Sequence, residues 1–222
     1  EMSVDEIQKV VVAWQNEYTI LGSNENINYV QIFENKGAVM GCSNPHPHGQ
    51  IWSQSTLPNE VEKKDNQQFN YFDKHQKSLL ETYLNQELAS KERIIFENDD
   101  FVVLVPFWAV WPFETMIAPE KTQKNIAEMS SKQTKNFAEA ISVITKAYDS
   151  LFNTSFPYSS GIHQAPTNGK KNNHWHWHMS FYPPLLRSAT IKKFMVGYEM
   201  FGSPQRDITA EIAAKKLRDL VL

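Results

Sequence analysis

The chain has 222 residues, of which 41% are hydrophobic and 21% are charged, a composition typical of a globular protein. A net charge of −3 argues against a nucleic-acid-binding surface, and no apolar run reaches the roughly 18 residues that a membrane span needs. The single cysteine excludes an internal disulfide framework and predicts a reducing compartment, the cytoplasm. Because the first residue is Glu1 rather than methionine, we expect the sequence to belong to a longer chain.

The first ninety residues predict helices around a pair of strands. Ser3 is a predicted N-cap with Glu6 at the capping-box position, and apolar residues follow at helical spacing. Segments 28–37 and 49–55 predict two strands. Residues 59–90 are polar with spaced apolar side chains, and the stretch SLLETYLNQELAS within them predicts a helix.

The remaining residues predict a sheet with interspersed helices. Segment 93–121 predicts strands around a turn at 98–100, and a helix begins near Ser131. Polar and apolar residues alternate over 174–186, which predicts a strand, and a helix over 207–222 ends the sequence. Strands and helices mix without a steady βαβ rhythm, so the predicted class is α+β with a mainly antiparallel sheet and flanking helices.

A weak internal echo indicates a duplicated unit. The histidine-rich segment 46–50 precedes one predicted strand, and a second such segment, 174–178, begins another about 130 residues later. We therefore predict two halves, residues 1–90 and residues 91–222.

The histidines of the stretch SNPHPHGQIW suggest group-transfer chemistry. Side chains two apart on an extended segment share a face, so His46, His48 and Gln50 are expected to lie together. Pro47 keeps the segment extended, and Gly49 allows a ligand to approach the backbone. A neutral imidazole is a competent nucleophile towards phosphorus, and a glutamine amide donates to phosphoryl oxygens without adding charge. Strand capping, or binding of an adventitious metal, is the alternative reading of the same pattern.

Three long segments carry a family resemblance. Residues 33–52 (FENKGAVMGCSNPHPHGQIW), 156–166 (FPYSSGIHQAP) and 181–200 (FYPPLLRSATIKKFMVGYEM) resemble the galactose-1-phosphate uridylyltransferase family of the histidine-triad superfamily. The resemblance implies a duplicated histidine-triad-like α+β unit and a homodimer with shared active sites. It also implies uridylyl transfer from UDP-glucose to galactose-1-phosphate, with glucose-1-phosphate released first.

The same resemblance assigns roles to individual residues. His48 matches the histidine that becomes uridylylated, and Gln50 matches the position that binds the phosphoryl group. The other matching positions contact the nucleotide or, across the dimer, the sugar nucleotide: Asn35, Gly41, Cys42, Ser43, Lys193, Phe194, Val196, Tyr198, Glu199 and Gln205.

Metal sites are only partly represented in the sequence. His46 matches a zinc ligand, whose partners in the family are two cysteines and a histidine from a segment ahead of residue 1, so we expect zinc only in a longer chain. An iron site in some family members uses one glutamate and three histidines. His163 and His178 match two of these ligands, but Lys64 and Ser180 replace the other two. An ammonium group cannot ligate a metal while it is charged, so iron is not expected in the family's form.

Two other functions fit the pattern. If the segment 174–186 is a strand, His174, His176 and His178 share one face, with Trp175 and Trp177 on the other. His176 is then the candidate nucleophile of a histidine-triad nucleotide hydrolase or transferase, or the face holds an altered metal site. A fragment without catalysis, acting only in dimerisation or metal binding, is the third reading.

Overall fold

The computed structural model describes residues 2–41 and 46–221. No helix in these two ranges is long and apolar enough to cross a membrane. In chain order the helices and strands are α1 (Val4–Gly22), β1 (Tyr29–Lys36), β2 (His48–Gln54), α2 (Asn59–His75), α3 (Leu79–Ser90), β3 (Ile94–Glu97), β4 (Phe101–Leu104), β5 (Thr115–Pro119), α4 (Ser131–Leu151), β6 (Tyr158–His163), β7 (His178–Tyr182), α5 (Tyr198–Phe201) and α6 (Ala210–Arg218).

The strands in the described ranges form one sheet in the order β2-β1-β6-β7-β5-β4-β3. Every neighbouring pair is antiparallel. This arrangement confirms the predicted α+β class with a mainly antiparallel sheet. Because β1 pairs with β6, strands from both predicted halves lie in one continuous sheet. The division at residue 90 and the duplication stay predictions.

Helices cover both faces of the sheet. The first face carries α1, α4 and α6, and its core includes Trp177, whose ring centroid lies 5.1 Å from that of Phe137 and 5.8 Å from that of Phe101. The second face carries α2 and α3, where Leu84 of α3 packs in a cluster with Val102 of β4. Burying each such side chain contributes roughly 1.5–3 kcal/mol, so apolar packing fixes the sheet between two helical layers.

Reciprocal side-chain caps set where two long helices begin. In α1 the backbone N–H of Ser3 donates to Glu6 Oε2 at 2.7 Å, and the N–H of Glu6 donates back to Ser3 Oγ at 3.3 Å. The same capping box joins Ser130 and Gln133 at the start of α4. Each box satisfies two backbone donors that have no partner within the helix. Both helices therefore begin within one residue of the prediction.

The strand predicted over 174–186 is shorter than expected. The ladder with β6 begins at His178, so the alternation of side chains is enforced only from that residue onwards. Trp177 lies in the core under α4, whereas Trp175 packs with Val61 of α2 on the opposite face. The prediction that the two tryptophans share a face is wrong, because the backbone turns before it enters the sheet.

Candidate active site

β2 presents its side chains alternately to the two faces of the sheet. His48 lies directly opposite Asn35 of β1, and Gln50 lies directly opposite Phe33. Directly opposite residues have Cβ atoms about 4.5–5.5 Å apart, so these side chains adjoin. We call this surface the His48 face: the side chains of His48, Gln50, Asn35, Phe33 and Ser159 on the face that α2 covers farther along the strands. His48 and Gln50 are exposed, while the other three are partly exposed.

Asn35 is oriented by a neighbour on the next strand. The hydroxyl group of Ser159, on β6, donates to the side-chain oxygen of Asn35. With that oxygen engaged, the amide nitrogen is the donor that Asn35 offers to a ligand beside His48. Sequence reasoning missed Ser159. Ser159 lies within the 156–166 segment that carried the family resemblance, but only the register of β1 with β6 places it opposite Asn35.

His46 lies on the opposite face of the sheet from His48. It lines a groove of 920 Å³ together with Glu34 and Lys36 of β1, and with side chains of α1 and α4. Gly49, which pairs with Glu34, lines the same groove. The prediction that His46 shares a face with His48 is therefore wrong. The reason is that β2 begins only at His48, so the alternation of an extended strand does not extend back to His46.

The second predicted metal position holds a lysine rather than a complete ligand set. The imidazole rings of His163 and His178 stack with their centroids 4.9 Å apart. Lys64 of α2 places its Nζ 3.2 Å from Nε2 of His178. Burial holds the pKa of both imidazoles well below 6.5 and lowers the pKa of Lys64 to about 8. Ser180 follows on the same face of β7 and is buried.

These residues do not fit a metal ion. Within residues 2–41 and 46–221, no three His, Cys, Asp or Glu side chains are grouped so that they could hold one. His46 alone cannot complete the tetrahedral set that structural zinc requires. At the second position Lys64 stands beside Nε2 of His178 where the family has a glutamate, and a charged ammonium group cannot ligate a metal.

His174 and His176 are enclosed by α2 and α3. Nε2 of His174 lies 2.7 Å from Oδ1 of Asp65, which also accepts from the indole N–H of Trp175. Nε2 of His176 lies 2.8 Å from the carbonyl oxygen of Pro119, and its ring has no exposed surface. An imidazole enclosed in this way cannot reach a nucleotide. The structure therefore contradicts the reading in which His176 is the nucleophile.

The predicted sugar-nucleotide contacts follow β7 in a largely irregular segment. Phe194, Val196 and Tyr198 are between 62% and 66% exposed. Lys193 differs, because its ammonium group is buried against the carboxylates of Glu199 and Asp207. Gln205 is exposed and uses its backbone N–H to donate to Glu199. The described chain does not bring these residues into contact with the His48 face.

Gly41, a further predicted contact, ends the single turn of 3₁₀ helix, Ala38–Met40, that follows β1. Gly41 has a φ of +79°, in the left-handed region that a β-carbon disfavours, so glycine is the residue that closes this turn without strain. Cys42 and Ser43 lie outside the described residues. Their predicted contacts with the nucleotide, like that of Gly41, stay predictions.

Comparison with known proteins identifies the family. The model of the galactose-1-phosphate uridyl transferase C-terminal domain matches residues 60–221, and that of the N-terminal domain matches residues 1–58. The galactose-1-phosphate uridylyltransferase of Haemophilus influenzae is 55% identical over 215 residues, covering 97% of this chain and 61% of that protein. The Rattus norvegicus enzyme is 47% identical over 222 residues, covering 99% and 58%.

A solved structure of a uridylyltransferase agrees with these matches. It superposes with a TM-score of 0.91 at 26% identity, covering 99% of this chain and 68% of that one. The chain spans about three fifths of the length of the curated relatives it matches. Together the two domain matches account for nearly every residue and confirm the predicted resemblance. The chain therefore belongs to the galactose-1-phosphate uridylyltransferase family.

Proposed function

We propose that the protein transfers a uridylyl group from UDP-glucose to galactose-1-phosphate through a covalent intermediate on His48. A ring nitrogen of His48 attacks the α-phosphorus and forms an N–P bond. The bond from that phosphorus to the bridging oxygen breaks, and its electron pair leaves with glucose-1-phosphate. A phosphate oxygen of galactose-1-phosphate then attacks the same phosphorus, which returns the electron pair of the N–P bond to His48 and releases UDP-galactose.

The observation that carries this proposal is the accessibility of His48. Its side chain is exposed on the sheet face that also bears Gln50 and Asn35. By contrast, His163 and His178 are held between α2 and the sheet, and their Nδ1 atoms are buried without a hydrogen-bond partner among the described residues. A nucleophile must approach phosphorus directly, so His48 suits the role and the enclosed histidines do not.

Two amides adjoin the proposed nucleophile and suit the phosphoryl oxygens. Gln50 follows His48 by two residues, so both side chains leave the strand on the same side. Asn35 offers its amide nitrogen from the position directly opposite His48. Neutral donors at these points stabilise charge that develops on the phosphoryl oxygens without attracting the imidazole into an ion pair.

A non-catalytic role in dimerisation or metal binding is the second candidate. We infer a homodimer from the exposed apolar side chains of Phe194, Val196, Tyr198 and Phe201, which suit burial against a second copy.

We place the protein in the cytoplasm because the sequence contains a single cysteine. Zinc is proposed only with ligands from outside this sequence.

Trapping the intermediate tests the proposal. The full-length protein is incubated with UDP-glucose labelled in the uridine, without galactose-1-phosphate, and its peptides are mapped by mass spectrometry. We expect label on His48, none in His48→Ala, and unchanged labelling in His75→Ala, which removes an exposed histidine of α2. Label on any other histidine would overturn the assignment of His48, and complete absence of label would support the non-catalytic role.

A further inference from the structure

The segment after β7 is organised around the buried ammonium group of Lys193. Nζ lies 2.9 Å and 3.1 Å from the two carboxylate oxygens of Glu199, 2.8 Å from Oδ2 of Asp207, and 3.2 Å from the carbonyl oxygen of Gln205. Only 4% of the Lys193 side chain is exposed. An ammonium group has three N–H donors, and these partners use all of them. In this arrangement Lys193 has no donor left for a phosphate or a sugar.

These contacts close the segment from within. Lys193 is its first residue, Glu199 lies in the short helix α5, and Asp207 is its last residue. A carboxylate oxygen of Glu199 also accepts from the backbone N–H of Gln205 at 2.9 Å. The cluster thus ties together the beginning, middle and end of residues 193–207, which contain only four helical residues. Charge-assisted bonds of this kind offset the entropy lost when an irregular loop closes.

A neighbouring contact attaches the closed segment to the rest of the molecule. Arg206 donates from Nε to the carbonyl oxygen of Ala109 at 3.0 Å, and from Nη2 to the carbonyl oxygen of Phe107 at 2.7 Å. Its guanidinium carbon also lies 5.4 Å from the centroid of the Phe107 ring. The segment is therefore attached next to the point at which Asp207 meets Lys193.

The apolar side chains of this segment do not explain its shape. Phe194, Val196 and Tyr198 point outwards, and Phe201 is 92% exposed. Because these apolar side chains stay in contact with water, the hydrophobic effect does not stabilise this conformation of the segment. The buried charge cluster, together with the attachment through Arg206, defines the shape of the segment.

We propose that Lys193, Glu199 and Asp207 are positioning residues that hold segment 193–207 in its binding shape. This inference rests on the proposed function, in which Tyr198 and Gln205 contact the sugar nucleotide. It assigns a role to Asp207, which was not among the predicted site residues, and it adds a positioning role to the Lys193 and Glu199 side chains. A loop that is already ordered before the ligand arrives does not lose conformational entropy on binding.

Hydrogen–deuterium exchange of the unliganded full-length protein tests the inference. In Asp207→Ala we expect peptides within 193–207 to exchange about tenfold faster, because a hydrogen bond to a charged group is lost. Peptides from β6 and β7 should keep wild-type rates, which shows that the fold persists. Asp207→Glu should restore most of the protection. The matched control is Asp219→Asn, which removes an exposed carboxylate paired with Lys215 and should change nothing in the segment.

Kinetics separate positioning from ligand contact. Asp207→Ala should raise the KM for the hexose-1-phosphate about tenfold with a smaller change in kcat, because the loop must then be ordered on binding. Wild-type exchange in Asp207→Ala would overturn the inference. So would faster exchange with an unchanged KM, because the shape would then not serve binding. Since exchange is measured without substrate, absence of uridylyl transfer would refute the proposed function and leave the exchange result to decide this inference.

Discussion

The buried ammonium group of Lys64 should make the stability of the protein depend on pH. Its ammonium group is buried between α2 and β7, 3.2 Å from Nε2 of His178. Burial is the main cause of its lowered pKa of about 8, and the nearby carboxylates of Glu60 and Glu114 oppose that shift. Replacing Lys64 with methionine removes the titrating group and keeps a side chain of similar length.

The sign of the pH dependence follows from the two pKa values of Lys64. The ordinary lysine value of 10.5 applies to the unfolded chain, and about 8 applies to the folded protein. Between these values the unfolded state binds the proton and the folded state does not, so stability rises with pH. While the two states differ by one bound proton, the free energy of unfolding rises by about 1.4 kcal/mol per pH unit. From pH 7 to pH 9.5 this gain amounts to about 2 kcal/mol, because the difference is complete only between the two pKa values.

Urea denaturation at several pH values between 7 and 9.5 measures the effect. We expect the unfolding free energy of the wild type to rise by about 2 kcal/mol relative to that of Lys64→Met. The tyrosines that titrate at high pH are common to both proteins and cancel in the difference. Lys63→Met is the control, because that lysine lies on the same helix with its side chain 71% exposed, and its profile should parallel the wild type. Parallel profiles for the wild type and Lys64→Met would refute the reasoning.

Three further predictions concern transfer, the dimer and the fold. Gln50→Ala should slow both half-reactions by about 10²–10³ in single-turnover assays, and an unchanged rate would mean that the amide does not meet the phosphoryl group. Mixing inactive His48→Ala and Gln205→Ala subunits of the full-length protein should recover part of the activity if sites are shared; no recovery after confirmed subunit exchange would place both residues in one chain. Arg93→Met should cost about 3–5 kcal/mol of stability by thermal denaturation, since it leaves Glu87 buried at 1% exposure without its cation; a shift below 1 kcal/mol would contradict that role.

Local patterns in the sequence predicted much of the fold. The Ser3 cap marks the start of α1, and the polar turn at 98–100 separates β3 from β4, because both signals depend on neighbouring residues. The strand over 174–186 was overestimated for a different reason. Its alternation is compatible with a strand throughout, but β6 offers pairing partners only up to the level of His178. Pairing over long sequence separation decides the strand boundary.

In the candidate site, too, contacts between near neighbours were predictable and contacts between distant residues were not. His48 and Gln50 are two apart within β2, so the strand period correctly places them together. The companion role of Ser159 depends on how β1 aligns with β6, about 124 residues apart in sequence. Asp207 meets Lys193 only because an irregular segment folds back on itself. No periodicity records such contacts, so sequence reasoning could assign Lys193 a charge but not its partners.

Isotope exchange between glucose-1-phosphate and UDP-glucose tests the central claim most directly. The full-length protein is given unlabelled UDP-glucose and labelled glucose-1-phosphate, with galactose-1-phosphate left out. If His48 holds the uridylyl group between two half-reactions, label enters UDP-glucose at a rate sufficient for the full reaction, and His48→Ala shows none. Full reaction in the presence of galactose-1-phosphate, without any exchange in its absence, would contradict a covalent intermediate on His48.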